Sequence, residues 1–295
     1  MTTRIGYLAT LSVTAASMAL IACSSGSGDS PSTPDAGTPT TPTTDTTPGV
    51  WKGTISSTTT GQTSAVVALT GPDGHTVWMS TDGRTWHGQL PTHGEHFDAT
   101  LTGHMADGDR FPDGTNHGPA VIGVDHHSAS ATRGRYAGNG DTGTFDMSMS
   151  GMWGRPAALA TVAGVYTRTT SSGYAMTMSI DAHGQMNGSD TRGCVFSGAV
   201  TVPDPRHNLY RMDAHVSACG TLDGHYAGMG ALLDASAMQD WMTAMHPLEH
   251  GGHSHGGPMM GGGHMGHNTV PTGSANLFMF CIVNDGNAVM DALAR

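Results

Sequence analysis

The sequence predicts a mainly β protein with an internal duplication, folded as an antiparallel barrel or as two packed β halves. Three observations support this fold class. Apolar and polar residues alternate in short runs, glycine-rich turns separate the runs, and three glycine-aromatic motifs recur in the same order in both halves of the chain. We expect four or five strands in each half and one short helix in an insertion.

The first segment is an apolar run from Ile5 onward, which follows Arg4 and ends in Leu20-Ile21-Ala22-Cys23. It resembles the lipobox of bacterial lipoprotein signal peptides. The resemblance implies that cleavage after residue 22 leaves Cys23 as the N-terminus, with diacylglycerol on its sulfur. An ordinary secretory signal with an incidental cysteine is the alternative, and it would still export the chain. Because Ser24 rather than aspartate follows the cysteine, we expect the outer membrane if the source is Gram-negative.

Residues 24–48 contain only Ser, Thr, Pro, Gly, Asp and one Ala, which are too small and polar to form a core. This composition predicts a disordered tether that spans roughly 25–30 Å as a flexible coil. The expected organisation is a signal peptide at 1–22, the lipidated cysteine and tether at 23–48, a first β half at 49–150 and a second β half at 151–295.

The charge of the chain argues against nucleic acid as a partner. Cleavage removes Arg4 and leaves 11 basic against 23 acidic residues, a net charge of −12, and Lys52 is the only lysine. Phosphate backbones and anionic lipid surfaces require clustered Lys and Arg. We therefore expect the membrane contact to be made by the lipid.

The β halves are predicted from alternation and from turns. Expected strand segments that share these patterns are 65–69, 76–79, 97–101, 145–149, 176–180 and 209–216. The repeated motifs are Gly49-Val-Trp51 with Gly164-Val-Tyr166, Gly83-Arg-Thr-Trp86 with Gly193-Cys-Val-Phe196, and Gly134-Arg-Tyr136 with Gly224-His-Tyr226. Residues 151–159 are the expected join between the halves.

The second half contains an insertion at about 235–273. Ser236-Ala-Met-Gln239 has the pattern of a capping box, and Met238, Trp241, Met242 and Met245 follow at helical spacing. We expect a helix over residues 237–246, with its methionine stripe packed against the β core.

Histidine and methionine are concentrated in residues 245–267, with eight glycines between them. The candidate metal ligands in this segment are His246, His250, His253, His255, Met259, Met260, His264, Met265 and His267. Imidazole binds Cu, Zn and Ni, and thioether binds mainly Cu(I), so copper is favoured, with zinc or nickel as alternatives. Other interpretations are a low-complexity segment without a ligand, or a protein contact. The chain as a whole has 18 histidines and 20 methionines.

Cysteine usage predicts an oxidising compartment. With Cys23 lipidated, Cys194, Cys219 and Cys281 remain, and we favour a disulfide between Cys194 and Cys219. The alternative is that Cys281 replaces either partner; otherwise Cys281 is a buried core thiol.

No catalytic motif is present in the sequence: it has no Gly-x-Ser-x-Gly elbow, phosphate-binding loop, dinucleotide fingerprint or calcium loop. We therefore predict a non-catalytic, lipid-anchored envelope protein that binds a transition metal and requires no cofactor. The alternative is a β-barrel lipoprotein that binds a small apolar ligand or a protein partner, with the His/Met segment incidental.

Overall fold

The computed structural model describes residues 48–91, 93–106, 108–169, 173–234 and 276–295. These residues form sixteen β-strands, one four-residue α-helix and one 3₁₀ turn. The strands are arranged as two closed antiparallel barrels of eight strands each. The mainly β fold class predicted from the sequence is therefore confirmed.

Barrel 1 has up-and-down order: each strand pairs with the next, and β1 pairs with β8 to close the sheet. Its strands are β1 (Gly49–Ser57), β2 (Thr63–Thr70), β3 (His75–Ser80), β4 (Thr85–Gln89), β5 (Phe97–His104), β6 (His117–His127), β7 (Ala131–Gly138) and β8 (Asp141–Met149).

Barrel 2 repeats this order and closes where β16 pairs with β9. Its strands are β9 (Gly164–Thr169), β10 (Ala175–Ile180), β11 (Gln185–Asp190), β12 (Val195–Thr201), β13 (Tyr210–Ser217), β14 (Gly224–Asp234), β15 (Asn276–Val283) and β16 (Ala288–Ala294). Helix α1 (Leu159–Val162) lies between the barrels, and the 3₁₀ turn Gly220–Leu222 lies between β13 and β14.

The expectation of four or five strands per half is wrong, because each half has eight. β11 shows why the sequence pattern missed strands: only Met186 among its six residues is fully buried, so the strand has almost no apolar signature. β4 has only five residues, too few for a clear alternation. In a closed barrel, even such weak strands are held by hydrogen bonds to a neighbour on each side.

Strand order supports the duplication for two of the three motif matches. The first motif begins β1 and β9, and the second lies at the turn before β4 and β12, the fourth strand of each barrel. Its turn glycines, Gly83 and Gly193, have φ values of +86° and +94°, a region that favours glycine. The third match is not equivalent, because Tyr136 lies in the seventh strand of barrel 1 and Tyr226 in the sixth of barrel 2.

Each barrel encloses its own buried core. The core of barrel 1 contains five aromatic side chains among aliphatic ones: Trp51, Trp78, Trp86, Tyr136 and Phe145. Barrel 2 is rich in methionine, and its core includes Met176, Met178, Met186 and Met212 beside Tyr166 and Phe278. The abundance of methionine in the whole chain is thus partly explained by packing, and it is not in itself a sign of metal binding.

The barrels pack against each other through outward-facing apolar side chains of β1 to β3 and of β14 and β15. This inter-barrel seam includes Val67, Leu69, Met79, Leu233, Leu277, Met279 and Cys281. Seven of the eight residues of β2 are buried. Burial on both faces explains why residues 65–69 form a continuous apolar run instead of an alternating one.

Candidate functional site

The metal ligands predicted from the sequence lie outside the described residues, as do Cys23 and the helix predicted for 237–246. Those ligands are His246, His250, His253, His255, Met259, Met260, His264, Met265 and His267. The structure does describe where their segment is attached. Asp234 at the end of β14 pairs directly with Asn276 at the start of β15, and Arg155 donates two hydrogen bonds of 2.5 Å to Asp234.

The predicted disulfide between Cys194 and Cys219 is confirmed. Cys194 precedes β12 and Cys219 follows β13, and both are part of the core of barrel 2. Cys281 is free and buried in the inter-barrel seam, so the alternative pairings are wrong. Burial raises the pKa of the Cys281 thiol to about 12, which keeps it protonated and unreactive at neutral pH.

Barrel 1 has an arginine at the position where barrel 2 has Cys194, directly after the turn glycine. Arg84 donates a hydrogen bond from Nε to Asp82 at 2.8 Å and another from Nη1 to Asp141 at 2.7 Å. Nη1 also donates to the Tyr136 hydroxyl at 3.0 Å, and that hydroxyl donates to Asp141 at 2.7 Å. The side chains of Arg84 and Asp141 are only 7% and 4% exposed. Barrel 1 therefore has a buried ion-pair network at the position equivalent to the disulfide of barrel 2.

Protonation states in this network are fixed by its hydrogen bonds. Burial alone would raise the pKa of Asp82 and of Asp141, but the bonds to Arg84 and to neighbouring hydroxyls outweigh burial and hold both pKa values below the usual range. Burial, with the bond to Asp141, raises the pKa of Tyr136 to about 12. Groups whose protonation states do not change near neutral pH are typical of a structural network rather than of a site of proton transfer.

Three histidines lie side by side on the outer face of barrel 1: His87 in β4, His104 in β5 and His117 in β6. Strand register brings them together, since His104 pairs with His117 and His87 is the diagonal neighbour of His104. Nε2 of His87 lies 3.1 Å from Nε2 of His104. The ring planes of His87 and His104 are inclined by 23° to each other, and those of His104 and His117 by 18°. We refer to these three residues as the histidine ladder.

His87 and His104 of the histidine ladder are neutral near pH 7. His104 is 1% exposed, and burial together with the adjacent His87 and His117 lowers its pKa to about 4. Burial also lowers the pKa of His87. Among the described residues, Nδ1 of His104 has no hydrogen-bond partner, although the backbone of Gly286 favours a proton on this ring. Neutral imidazole is the form that binds transition metals.

Barrel 2 contributes to the surroundings of the histidine ladder. The turn between β15 and β16 carries the exposed Asp285, whose charge favours the protonated form of His87 and so partly offsets the effect of burial on its pKa. Beside the ladder, Thr85 donates a hydrogen bond of 3.6 Å to the sulfur of Met290 in β16. The ladder therefore lies where barrel 1 meets the last hairpin of barrel 2.

Two Nε2 atoms 3.1 Å apart either share a proton in an N–H···N hydrogen bond or share a bound cation. A second cross-strand pair, His215 with His225, lies on the exposed face of barrel 2 with ring centroids 4.7 Å apart. Within the described ranges, no group of three or more His, Cys, Asp or Glu side chains is arranged to hold a metal ion. His87 and His104 are thus the two ligands that the described residues would offer an ion at the ladder.

The sizes of the cavities are relevant to the alternative function, in which a barrel binds a small apolar ligand. A cavity at one end of barrel 1, beside Trp51 and Trp78, measures about 20 Å³, which is room for one water. The cavity at the disulfide end of barrel 2 is also lined by Gly83, Thr85 and Met105 of barrel 1, and it measures about 50 Å³. A larger groove of about 320 Å³ lies outside barrel 1 and is lined by polar groups that include Asp125, Arg133 and Asp146. Small-molecule sites are usually apolar pockets of roughly 300–1,000 Å³.

No family model, curated protein or solved structure matches this chain. Its function therefore has to be argued from its own residues. In the described part of the chain, neither helical segment is long and apolar enough to cross a membrane.

Sequence reasoning did not find the histidine ladder. Its members are 17 and 13 residues apart, a spacing that matches no metal motif, and they are three of 18 histidines in the chain. Alternation can predict that each of the three points outward from its strand. Which outward residues become neighbours depends on the register of β4, β5 and β6, which the sequence pattern does not reveal.

Proposed function

We propose that this chain is a non-catalytic, lipid-anchored envelope protein that binds a transition metal, copper in preference, through residues 245–267. One structural observation supports this most. β14 and β15 pair residue by residue from Ala227 with Val283 to Asp234 with Asn276. A turn of two residues would therefore be sufficient to join β14 and β15. The fold does not account for the His/Met-rich composition of residues 235–275.

The composition of the segment favours copper. Six histidines and four methionines lie among eight glycines in residues 245–267. Imidazole suits several divalent ions, whereas thioether sulfur is a useful ligand mainly for Cu(I). The described methionines of barrel 2 are largely accounted for by core and seam packing. Zinc and nickel are the alternatives, bound by histidine alone.

The anchor follows from the lipobox-like sequence at Leu20-Ile21-Ala22-Cys23. A lipid on Cys23, followed by the polar residues 24–48, would hold the two barrels at the outer membrane of a Gram-negative cell but clear of the bilayer surface. The protein would then bind the metal in the cell envelope, before the metal reaches the cytoplasm.

The test compares residues 48–295, which contain both closed barrels, with a variant in which Asn-Gly replaces residues 235–275. Cu(I), Cu(II), Zn(II) and Ni(II) are titrated against chelators of known affinity. We expect stoichiometric Cu(I) binding by the intact protein and its loss in the shortened variant, with unchanged circular dichroism. Weak binding of every ion alike, or Cu(I) binding that survives the replacement, would contradict the proposal.

A matched variant separates copper from general divalent binding. Changing Met245, Met259, Met260 and Met265 to leucine removes every thioether in the segment but keeps its histidines and its apolar volume. We expect Cu(I) affinity to fall by at least about tenfold, while Zn(II) affinity is unchanged. Equal loss for both ions would show that the methionines act through the structure of the segment.

A further inference from the structure

We propose that His87 and His104 form a second transition-metal site, preformed on barrel 1, that binds a divalent ion such as Cu(II) or Zn(II). This site includes none of residues 245–267, and the proposal is independent of the function proposed for them. It consists of two imidazole nitrogens that converge at the edge of the inter-barrel seam.

The distance between the two nitrogens fits a shared ion. Imidazole nitrogens bind zinc at about 2.0–2.1 Å, and two of them at a tetrahedral angle would be about 3.3–3.4 Å apart. Nε2 of His87 and Nε2 of His104 are 3.1 Å apart, which corresponds to a somewhat narrower angle at the metal. Nε2 is the ring nitrogen farther from the backbone, and it has a free lone pair in the tautomer that carries the proton on Nδ1.

The rings are held in place before any ion binds. His104 is almost fully buried and lies between two other imidazoles, with His87 on one side and His117 on the other at ring-centroid distances of 5.1 Å and 6.0 Å. All three are anchored on paired strands rather than on loops. A site on rigid elements loses little conformational entropy when it binds its ion.

The surroundings favour a cation. The Asp285 carboxylate in the β15–β16 turn interacts electrostatically with His87. Because Asp285 lies in the last hairpin of barrel 2, an ion bound by His87 and His104 would lie beside that hairpin.

The competing explanation is a hydrogen bond between the two neutral rings, which has the same nitrogen–nitrogen distance. Four proteins distinguish the two: residues 48–295, the variant with Asn-Gly in place of residues 235–275, and each of these with His87→Gln. Zn(II) and Cu(II) are titrated into each by calorimetry, and thermal unfolding is recorded with and without each ion.

We expect the shortened protein to bind one equivalent and to unfold at a higher temperature with the ion than without it. His87→Gln should abolish both effects. Loss of an outer-shell partner already costs roughly 10–100-fold in affinity, so loss of a ligand should cost no less. If residues 245–267 do not bind metal, the intact protein should still bind one equivalent of the ion and should lose it on His87→Gln. The two proposals can therefore fail independently of each other.

The matched control is His183→Gln, which changes an exposed histidine in the turn between β10 and β11 and should leave binding unchanged. Asp285→Asn is the second variant, since it alters an exposed turn and should weaken binding severalfold without affecting the fold. The proposal is overturned if the shortened protein binds neither ion, or if it binds equally well with and without His87→Gln.

Discussion

At the scale of single residues, Arg84 is the cation at the centre of a buried network in barrel 1. It is the shared counter-ion of Asp82 and Asp141, and all three side chains are largely buried. A buried ion pair adds little to stability compared with an apolar replacement of the whole set, but removal of one partner leaves a buried charge uncompensated.

Arg84→Met should therefore destabilise the protein by about 3–5 kcal/mol, because two buried carboxylates lose their counter-ion. The control is Arg135→Met, which breaks the exposed pair of Arg135 and Asp125, with side chains 73% and 50% exposed. An exposed pair contributes about 0–1 kcal/mol. Unfolding in urea measures both values, and equal effects from the two substitutions would contradict this account.

Acid should remove the same stabilisation. Asp82 and Asp141 have pKa values that are lower in the folded state than the ordinary value of about 3.9 in the unfolded chain. Their contribution is fully present above that value and is lost as pH falls through the folded pKa. In Arg84→Met the carboxylates are buried without a counter-ion, so their pKa values rise. The two carboxylates then destabilise the folded state at neutral pH, and protonation by acid relieves that destabilisation.

The difference in unfolding free energy between the wild-type protein and Arg84→Met should therefore shrink between pH 7 and pH 3. Urea unfolding at several pH values in that range measures it. Parallel curves for the two proteins would show that the charge of Arg84 does not set the pKa of either carboxylate.

At the scale of secondary-structure elements, the two barrels use different bonds at equivalent positions. The turn before β4 leads into Arg84, and the equivalent turn before β12 leads into Cys194. Cys194 is joined to Cys219 across 25 residues of chain, which links β12 to the end of β13. The duplication has thus kept the turn and replaced an ion-pair network by a covalent one, or the reverse.

The double substitution Cys194→Ser and Cys219→Ser should lower the free energy of unfolding by about 3 kcal/mol, the loop-closure entropy expected for a bridge of this span. Reductant should destabilise the wild-type protein by a similar amount and leave the double variant unaffected. An effect of reductant on the variant would reveal a contribution from a different cysteine.

At the scale of the whole molecule, the inter-barrel seam makes the two barrels depend on each other. Side chains from the outer faces of both contribute to one buried cluster, in which Leu69 and Met79 of barrel 1 meet Leu233 and Met279 of barrel 2. Burial of apolar surface contributes about 25 cal/mol per Å². We therefore expect the barrels to unfold in a single transition.

Met279→Ala should destabilise both barrels together by about 2–5 kcal/mol, because it leaves a cavity at a position that is 2% exposed. Val165→Ala is the control, since Val165 is 58% exposed and its truncation should change stability by no more than about 0.5 kcal/mol. Tryptophan fluorescence reports mainly on barrel 1 and far-ultraviolet circular dichroism on both. Separate transitions in the two signals would show that the barrels are independent.

Cys281 provides a chemical probe of the same seam. Its thiol is fully buried between the barrels, and burial raises its pKa to about 12. A thiol reagent should not react with residues 48–295 in the native state and should label one cysteine after unfolding without reductant. Faster labelling in Met279→Ala than in Val165→Ala is expected, and native labelling at the rate of a free thiol would contradict a closed seam.

The sequence by itself determined the features that depend on neighbouring residues. Alternation in segments such as 97–101 and 209–216 predicted strands, glycine marked the turns at Gly83 and Gly193, and cysteine placement favoured the bond between Cys194 and Cys219. The lipobox-like segment and the His/Met ligands at 246–267 are likewise local patterns, and they remain predictions.

Only the tertiary structure decided the number of strands, the closure of two barrels and the histidine ladder. Weak strands such as β11 are held by partners on both sides, so their own residues carry little signal. His87 and His104 meet because β4 and β5 pair in one register, and a shift of one residue would turn their side chains to opposite faces. Register is a property of the closed sheet, which is why spacing along the chain could not reveal the site.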